Sequence, residues 1–94
     1  MPIFAVHYTY SDATAAERDK QRPRHRAWLA EHLADGTLLS SGPYPDGSGA
    51  LLLFRAVDSQ ALGRLLTADP FAQESLIDEV RATEWQPVLG AFAD

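Results

Sequence analysis

The chain has 94 residues, no cysteine, and eight basic against thirteen acidic side chains, for a formal net charge of −5. This length predicts one domain over residues 1–94, and the acidic balance disfavours nucleic acid and anionic membranes as partners, since both bind through basic patches. The absence of cysteine excludes disulfides and thiol chemistry, and without a signal-peptide pattern or an apolar run of about 18–20 residues we expect a cytoplasmic protein.

The first third of the chain predicts a strand followed by a long helical segment. Residues 3–10 are rich in β-branched and aromatic side chains, which is typical of a strand. Thr14 and Glu17 fit a capping box at the start of a helix, and Pro23 either kinks that helix or begins a new one. The strongest helical pattern runs from Pro23 to a stop at Gly36, a residue type favoured just beyond a helix C-terminus.

The rest of the chain alternates apolar runs with turn-forming residues. Two apolar runs that flank a stretch rich in glycine and proline predict a hairpin. Asp58 can cap a second helix, and Asp69 before Pro70 fits the cap and first position of a short helical turn. The predicted elements are a strand over 37–41, a turn over 42–49, a strand over 50–57, a helix over 59–66 and a weakly marked strand over 77–85.

This order of elements, β-α-β-β-α-β, predicts an α+β fold of the ferredoxin-like type. Such a fold has a four-stranded antiparallel sheet with both helices on one face. The other face would carry apolar side chains that need covering, so we expect a homodimer packed through its sheets.

One histidine, His25, falls on the apolar stripe of the first helix. Trp28, Leu29 and His32 follow it by three, four and seven residues, so all four share one helix face. Imidazole takes and returns protons near neutral pH, which makes His25 a candidate general acid/base, and Asp69 is the candidate partner that would orient it. The alternatives are a helix histidine bonded to a backbone carbonyl, and a purely capping role for Asp69.

Further candidates for ligand contacts lie beside His25 and in the glycine-rich hairpin. A basic cluster on the first helix is interpreted as a solvated face that pairs with nearby acidic side chains, with Arg22 as the exception because it lies one turn before His25. The other members of that cluster are Arg18, Lys20, Arg24 and Arg26. The predicted substrate-binding residues are Arg22, Trp28, Ser41, Gly42, Pro43 and Tyr44.

Three other kinds of chemistry have less support in the sequence. A metal site would draw on His7, His25 and His32, but the two helix histidines are about 10 Å apart along the axis, so no metal or other cofactor is expected. Ser41 lacks a nucleophile-elbow pattern. Pro2 at the head of a strand is similar to the amino-terminal proline base of tautomerases and stays an alternative.

Several segments taken together resemble the YCII-related (YciI-like) family. They are residues 25–29, the Gly36 stop, Ser41-Gly42-Pro43, the turn over 46–49, Asp69-Pro70-Phe71 and residues 84–87. The resemblance spans almost the whole chain and implies a ferredoxin-like fold that dimerises into an α+β barrel. It also implies a pocket with a histidine–aspartate pair, matched by His25 and Asp69, and lyase (dehydrochlorinase-like) or isomerase chemistry on small aromatic or lactone-like molecules.

The sequence therefore predicts a small cofactor-independent enzyme in which His25 moves a proton and Asp69 orients it. The expected partners are a small-molecule substrate and a second copy of the chain. The alternative is a non-catalytic dimeric module that binds a small ligand or regulates another protein, because a fold does not determine a function.

Overall fold

A four-stranded antiparallel sheet forms one layer of the protein, and helices pack against one of its faces. The computed structural model describes residues 1–93. Its elements are β1 (Ile3–Thr9), a 3₁₀ turn (Asp12–Thr14), α1 (Ala15–Ala34), β2 (Leu38–Pro43), β3 (Gly49–Arg55), α2 (Ser59–Leu66), α3 (Pro70–Gln73) and β4 (Glu79–Trp85). The strand order is β2-β3-β1-β4, which confirms the predicted ferredoxin-like arrangement and the hairpin of β2 and β3.

The hydrophobic core lies between the helices and the face of the sheet that carries the alternate residues of β1. Phe4, Val6 and Tyr8 point to this side because successive side chains of a strand alternate between its faces. Phe4 is in register with Phe54 of β3, and Val6 with Leu52, so the two central strands build one continuous apolar surface. The helices contribute Trp28, Leu62 and Leu66 to the same cluster.

Helix α1 begins and continues differently from the sequence-based expectation. The predicted capping box does not form: the Thr14 hydroxyl donates to the carbonyl of Ser11 at 3.4 Å, and no side chain caps the first turn of α1. The helix runs through Pro23 without interruption, although proline removes one hydrogen bond from the ladder. The predicted stop is confirmed, since Gly36 has a φ of +85° directly after the helix.

Arg18 is buried, which corrects its assignment to a solvated helix face. Its guanidinium donates to the carbonyls of Ser11 at 2.9 Å and Leu76 at 3.3 Å, and it lies 4.3 Å from the centre of the Tyr10 ring. These contacts join three segments that meet at the beginning of α1. Lys20, Arg24 and Arg26 are exposed, and Lys20 pairs with Glu17 at 3.8 Å as predicted. Arg22, the predicted exception, is half-buried and lies 2.6 Å from Asp19.

The two predicted aspartate caps are present. Asp58 accepts a hydrogen bond from the backbone N–H of Ala61 at 2.8 Å, and Asp69 accepts one from Phe71 at 2.9 Å. These bonds satisfy donors that a helix leaves free in its first turn. In the part of the chain that the structure describes, none of the helices combines the length and apolarity needed to cross a bilayer.

The sheet face opposite to the helices is uncovered. Ala5 and His7 of β1 and Leu51 of β3 are half-buried on this face, and all seven residues of the edge strand β4 are exposed. Trp85, in register with Ile3, keeps 41% of its surface exposed. This face therefore mixes apolar and polar side chains that a second chain could cover.

Candidate active site

The centre of the candidate site is a hydrogen bond between His25 and Asp69, at 2.7 Å from Nδ1 to Oδ1. His25 comes from the middle of α1, and Asp69 stands at the N-terminus of α3. Asp69 is fully buried and His25 is 8% exposed. The fold thus brings together two residues that are 44 positions apart in the chain.

The carboxylate of Asp69 accepts hydrogen bonds from three donors. Oδ1 accepts from His25 and from the backbone N–H of Phe71, while Oδ2 accepts from the hydroxyl of Tyr8 at 2.8 Å. Burial, followed by the negative charge of Asp69, raises the pKa of Tyr8 far above its ordinary value. Tyr8 therefore stays protonated and remains a permanent donor to the carboxylate.

These contacts determine how the imidazole of His25 is oriented and protonated. Because Asp69 Oδ1 is an acceptor, Nδ1 of the neutral ring carries the hydrogen, which leaves the lone pair on Nε2. Nε2 has no hydrogen-bond partner within residues 1–93. The ring of Phe71 stacks on the imidazole with centroids 3.9 Å apart and planes 2° apart, and rotation of the imidazole would lose this contact. In this tautomer Nε2 is the ring nitrogen with an available lone pair.

His25 lies on the wall of a cavity of about 380 Å³. This volume is within the range of pockets that bind small organic molecules. One wall is a stripe of α1, and the opposite side is formed by β2, β3 and Phe71. The lining residues are Tyr10, Arg22, His25, Arg26, Leu29, Ala30, Leu33, Leu38, Ser41, Gly42, Pro43, Ala50, Leu52 and Phe71.

Tyr10 adds a phenol to this cavity. Burial, followed by the negative charge of Asp69, raises the pKa of Tyr10 to about 12, although the nearby Arg18 and Arg22 act in the opposite direction. Its hydroxyl has no hydrogen-bond partner within the described residues, and its ring meets Phe71 edge-on at 6.1 Å. Tyr10 can therefore donate a hydrogen bond to a ligand at any physiological pH.

The structure brings four of the six predicted substrate-binding residues to this cavity. Arg22, Ser41, Gly42 and Pro43 line it together with His25. Trp28 and Tyr44 do not. Trp28 packs in the core with its ring 5.9 Å from that of Phe54, because its place on α1 is turned toward the sheet. The hydroxyl of Tyr44 contacts Nδ1 of His7 at 2.9 Å, beside a separate cavity.

Three residues considered for other chemistry, Pro2, His7 and His32, are not among the lining residues of the cavity. The Pro2 carbonyl accepts a hydrogen bond from Ala56 at 3.1 Å. Within residues 1–93, no group of three or more histidine, aspartate or glutamate side chains is placed to hold a metal ion. His32 packs against Trp28, and its Nδ1 lies 3.4 Å from Asp35.

Comparison with known proteins identifies the family. A family model described as the YCII-related domain matches residues 2–86. The chain belongs to the YCII-related family. A comparison with curated protein sequences gave no match.

Solved structures agree with the fold of this YCII-related chain. The 5-chloro-2-hydroxyhydroquinone dehydrochlorinase TftG from Burkholderia phenoliruptrix AC1100, in complex with 2,5-dihydroxybenzoquinone, has a TM-score of 0.80 and 18% identity over 89% of this chain and 93% of that one. Protein Atu4242 from Agrobacterium tumefaciens has a TM-score of 0.59 and 13% identity over 99% and 97%. Rv0793 from Mycobacterium tuberculosis has a TM-score of 0.56 and 17% identity over 97% and 99%. At these identities the likeness shows the fold alone.

Sequence reasoning missed several residues of the site in this YCII-related chain. Tyr8 and Tyr10 were assigned only to a strand, and Arg26 only to a solvated face. The alternation of β1, continued one residue beyond its end, puts Tyr8 and Tyr10 on the helix-covered side, and Arg26 follows Arg22 by one helical turn. The alternation of side chains along a strand and their repeat along a helix could have indicated these residues, because this strand face and this helix stripe meet at the cavity.

Proposed function

We propose that this YCII-related protein is a small cofactor-independent enzyme, a lyase or isomerase, that moves a proton with His25. The observation that carries the proposal is the hydrogen bond between His25 and the buried Asp69 at the wall of a ligand-sized cavity. His25 Nε2 would accept a proton from the substrate, and the carboxylate of Asp69 would stabilise the imidazolium that forms. Tyr8 would hold the carboxylate in place.

The substrate would be a small organic molecule with an aromatic or lactone-like ring. Removing a proton from such a molecule places negative charge on an oxygen, and the neutral hydroxyl of Tyr10 in the same cavity can donate a hydrogen bond to it. Ser41, Gly42, Pro43 and Arg22 would form the remaining contacts. The name and ligand of the structurally similar dehydrochlorinase TftG support a ring substrate and a lyase reaction.

The test is proton transfer measured on candidate substrates in D₂O. The protein is mixed with 5-chloro-2-hydroxyhydroquinone, whose conversion releases chloride, and with simple enolisable lactones, whose exchange of C–H for C–D is followed by NMR. We expect His25→Gln to slow turnover by at least about 100-fold, the usual contribution of a general base. Asp69→Asn should slow it as well, because the imidazolium loses its counter-charge.

The matched control is His32→Gln, which removes a histidine from the same helix but outside the cavity. It should leave the rate unchanged. If the wild type and His25→Gln are equally active, the proposed role of His25 is wrong. If the wild type neither releases chloride nor exchanges protons on any candidate, the alternative of a non-catalytic module that binds a small ligand is favoured.

We also propose that the protein is a homodimer joined through the uncovered face of its sheet. Half-buried apolar side chains such as Ala5 and Leu51, together with the exposed Trp85, support this arrangement. A domain of this size gains useful burial from such a contact.

The dimer is tested by placing a charge at the centre of that face. Ala5 of β1 is in register with Leu53 on one side and Thr83 on the other, so Ala5→Arg should give a monomer in analytical ultracentrifugation. Gln60→Arg, on the exposed surface of α2, is the control and should leave the mass unchanged. A wild-type protein that sediments as a monomer would contradict the proposal.

A further inference from the structure

The charges that line the cavity are of one sign. Its charged lining residues are two arginines, Arg22 and Arg26, and none of the lining residues is acidic. The buried Asp69 is not part of the lining, since it stands behind His25 with its two oxygens bonded to protein donors. The cavity is therefore cationic although the chain as a whole carries a net charge of −5.

The two arginines differ in how far they are already neutralised. Arg22 Nη1 lies 2.6 Å from Asp19 Oδ1, so much of its charge is satisfied on the helix surface. Arg26 makes no ion pair or side-chain hydrogen bond within residues 1–93. Its guanidinium thus has its full set of donors available, and the residue lines the cavity one position from His25 and one helical turn from Arg22.

Apolar side chains line the cavity further along α1 and on the neighbouring strand. They include Leu29 and Leu33 of α1 and Leu38 of β2. Residues 22–33 cover about 16 Å along a helix at 1.5 Å per residue. The cavity therefore has a cationic end beside His25 and an apolar end, which is the shape of a site for a molecule with one charged group.

We infer that the ligand of this cavity is an amphiphilic anion, a ring-sized molecule with a carboxylate or phenolate group that is bound by Arg26 and assisted by Arg22. The inference rests on the proposed function in one respect, namely that both use the same cavity. It adds the class of molecule that the cavity binds. The planar guanidinium of Arg26 suits bidentate binding of a carboxylate. The ring then lies against the leucines, and its reacting atom lies within reach of His25.

The probes are benzoate and 2-naphthoate, each compared with its neutral amide, benzamide or 2-naphthamide. Affinity is measured by amide chemical-shift titration at physiological ionic strength. We expect saturable shifts around Ser41 and Phe71 with at least one carboxylate, and weaker binding of its amide. Arg26→Gln should weaken carboxylate binding by at least about tenfold, the loss expected for a hydrogen bond between charged groups.

The matched control is Arg24→Gln, which removes the same charge from the same helix at a residue outside the cavity. It should change the affinity by less than about twofold, because the Arg24 side chain is exposed, lies 4.0 Å from Glu74, and its charge is screened by salt. The inference is overturned if the amides bind as tightly as the carboxylates, if Arg24→Gln weakens binding as much as Arg26→Gln, or if no carboxylate gives a saturable shift.

Failure of this inference and failure of the proposed function give different results. Carboxylate binding that depends on Arg26, in a protein with no proton-transfer activity, supports the anion site and contradicts the enzyme. Turnover that depends on His25, with carboxylate affinity that does not depend on Arg26, supports the enzyme and contradicts the anion site.

Discussion

The hydroxyl of Tyr8 offers the sharpest test of how the site is held together. Tyr8→Phe removes a single oxygen atom, and the ring that fills the core beside β3 stays in place. That oxygen is the donor to Oδ2 of Asp69, at 2.8 Å, and the carboxylate oxygen has no other protein donor within residues 1–93. The variant therefore leaves one buried carboxylate oxygen without a partner.

The expected cost follows from the burial of both groups. Tyr8 is 2% exposed and Asp69 is fully buried, so water does not easily replace the lost donor. A hydrogen bond to a charged group contributes about 1.5–3 kcal/mol, and the bonds from His25 and Phe71 to Oδ1 remain. We expect Tyr8→Phe to lose about 2 kcal/mol of unfolding free energy. For a domain of this size that corresponds to a melting temperature lower by roughly 8–16 °C.

The assay is urea unfolding at neutral pH and at one fixed protein concentration, because the proposed dimer would make the stability depend on concentration. Tyr10→Phe is the matched control. It removes the hydroxyl of the tyrosine two positions after Tyr8, and that hydroxyl has no hydrogen-bond partner in the described chain. It should change the unfolding free energy by less than about 0.5 kcal/mol. Equal losses for the two variants would refute the argument, as would a Tyr8→Phe protein as stable as the wild type.

Two further predictions concern the backbone and the pH dependence of stability. A Cβ at Gly49 would lie 1.9 Å from the carbonyl oxygen of Tyr8, so Gly49→Ala should lower the free energy of unfolding in urea by at least about 3 kcal/mol. The control Gly63→Ala, in open space on α2, should raise it by about 0.5–1 kcal/mol. A Gly49→Ala protein as stable as the wild type would contradict the pairing of β1 with β3. The pKa of Tyr10 is raised to about 12 from an ordinary value near 10, so its contribution to stability is complete below about pH 10 and is lost as the pH rises through 12. The Tyr10→Phe variant should therefore lose less stability than the wild type as the pH rises. Unfolding is followed by circular dichroism, and tyrosine ionisation by tyrosinate absorbance in the same samples.

The order of elements was predictable because it depends on local patterns. Alternating apolar residues mark β1 and β3, and the caps at Asp58 and Asp69 are local hydrogen bonds between a side chain and the N–H groups that follow it. The start of α1 was not predictable from the same rules. There Arg18 donates to the Thr14 hydroxyl, to the carbonyl of the nearby Ser11 and to the carbonyl of Leu76, which is 58 positions away. The Thr14 hydroxyl is thus engaged with Arg18 and not with the backbone of the first helical turn.

The site was predictable only as far as one helix face could indicate it. The spacing of His25, Trp28 and Leu29 places them on one stripe, but it does not say which edge of that stripe faces the sheet and which faces the cavity. In the structure Trp28 packs in the core while Leu29 lines the cavity. Tyr8 was out of reach for another reason, since its bond to Asp69 joins residues 61 positions apart.

A single carboxylate oxygen of Asp69 both caps α3 and orients His25, and this sharing determines how variants of the site must be read. An alanine at position 69 removes the cap, the orientation and the charge together. Asparagine separates them, because its amide oxygen can take the place of Oδ1 and accept from Phe71 and His25. The opposite rotamer is disfavoured, since it would turn the NH₂ group toward these two N–H donors. In the favoured rotamer the amide nitrogen faces Tyr8, whose hydroxyl must accept instead of donate. Asp69→Asn therefore keeps the helix cap and the tautomer of His25, so an effect on proton transfer beyond its effect on stability reports the charge of the carboxylate.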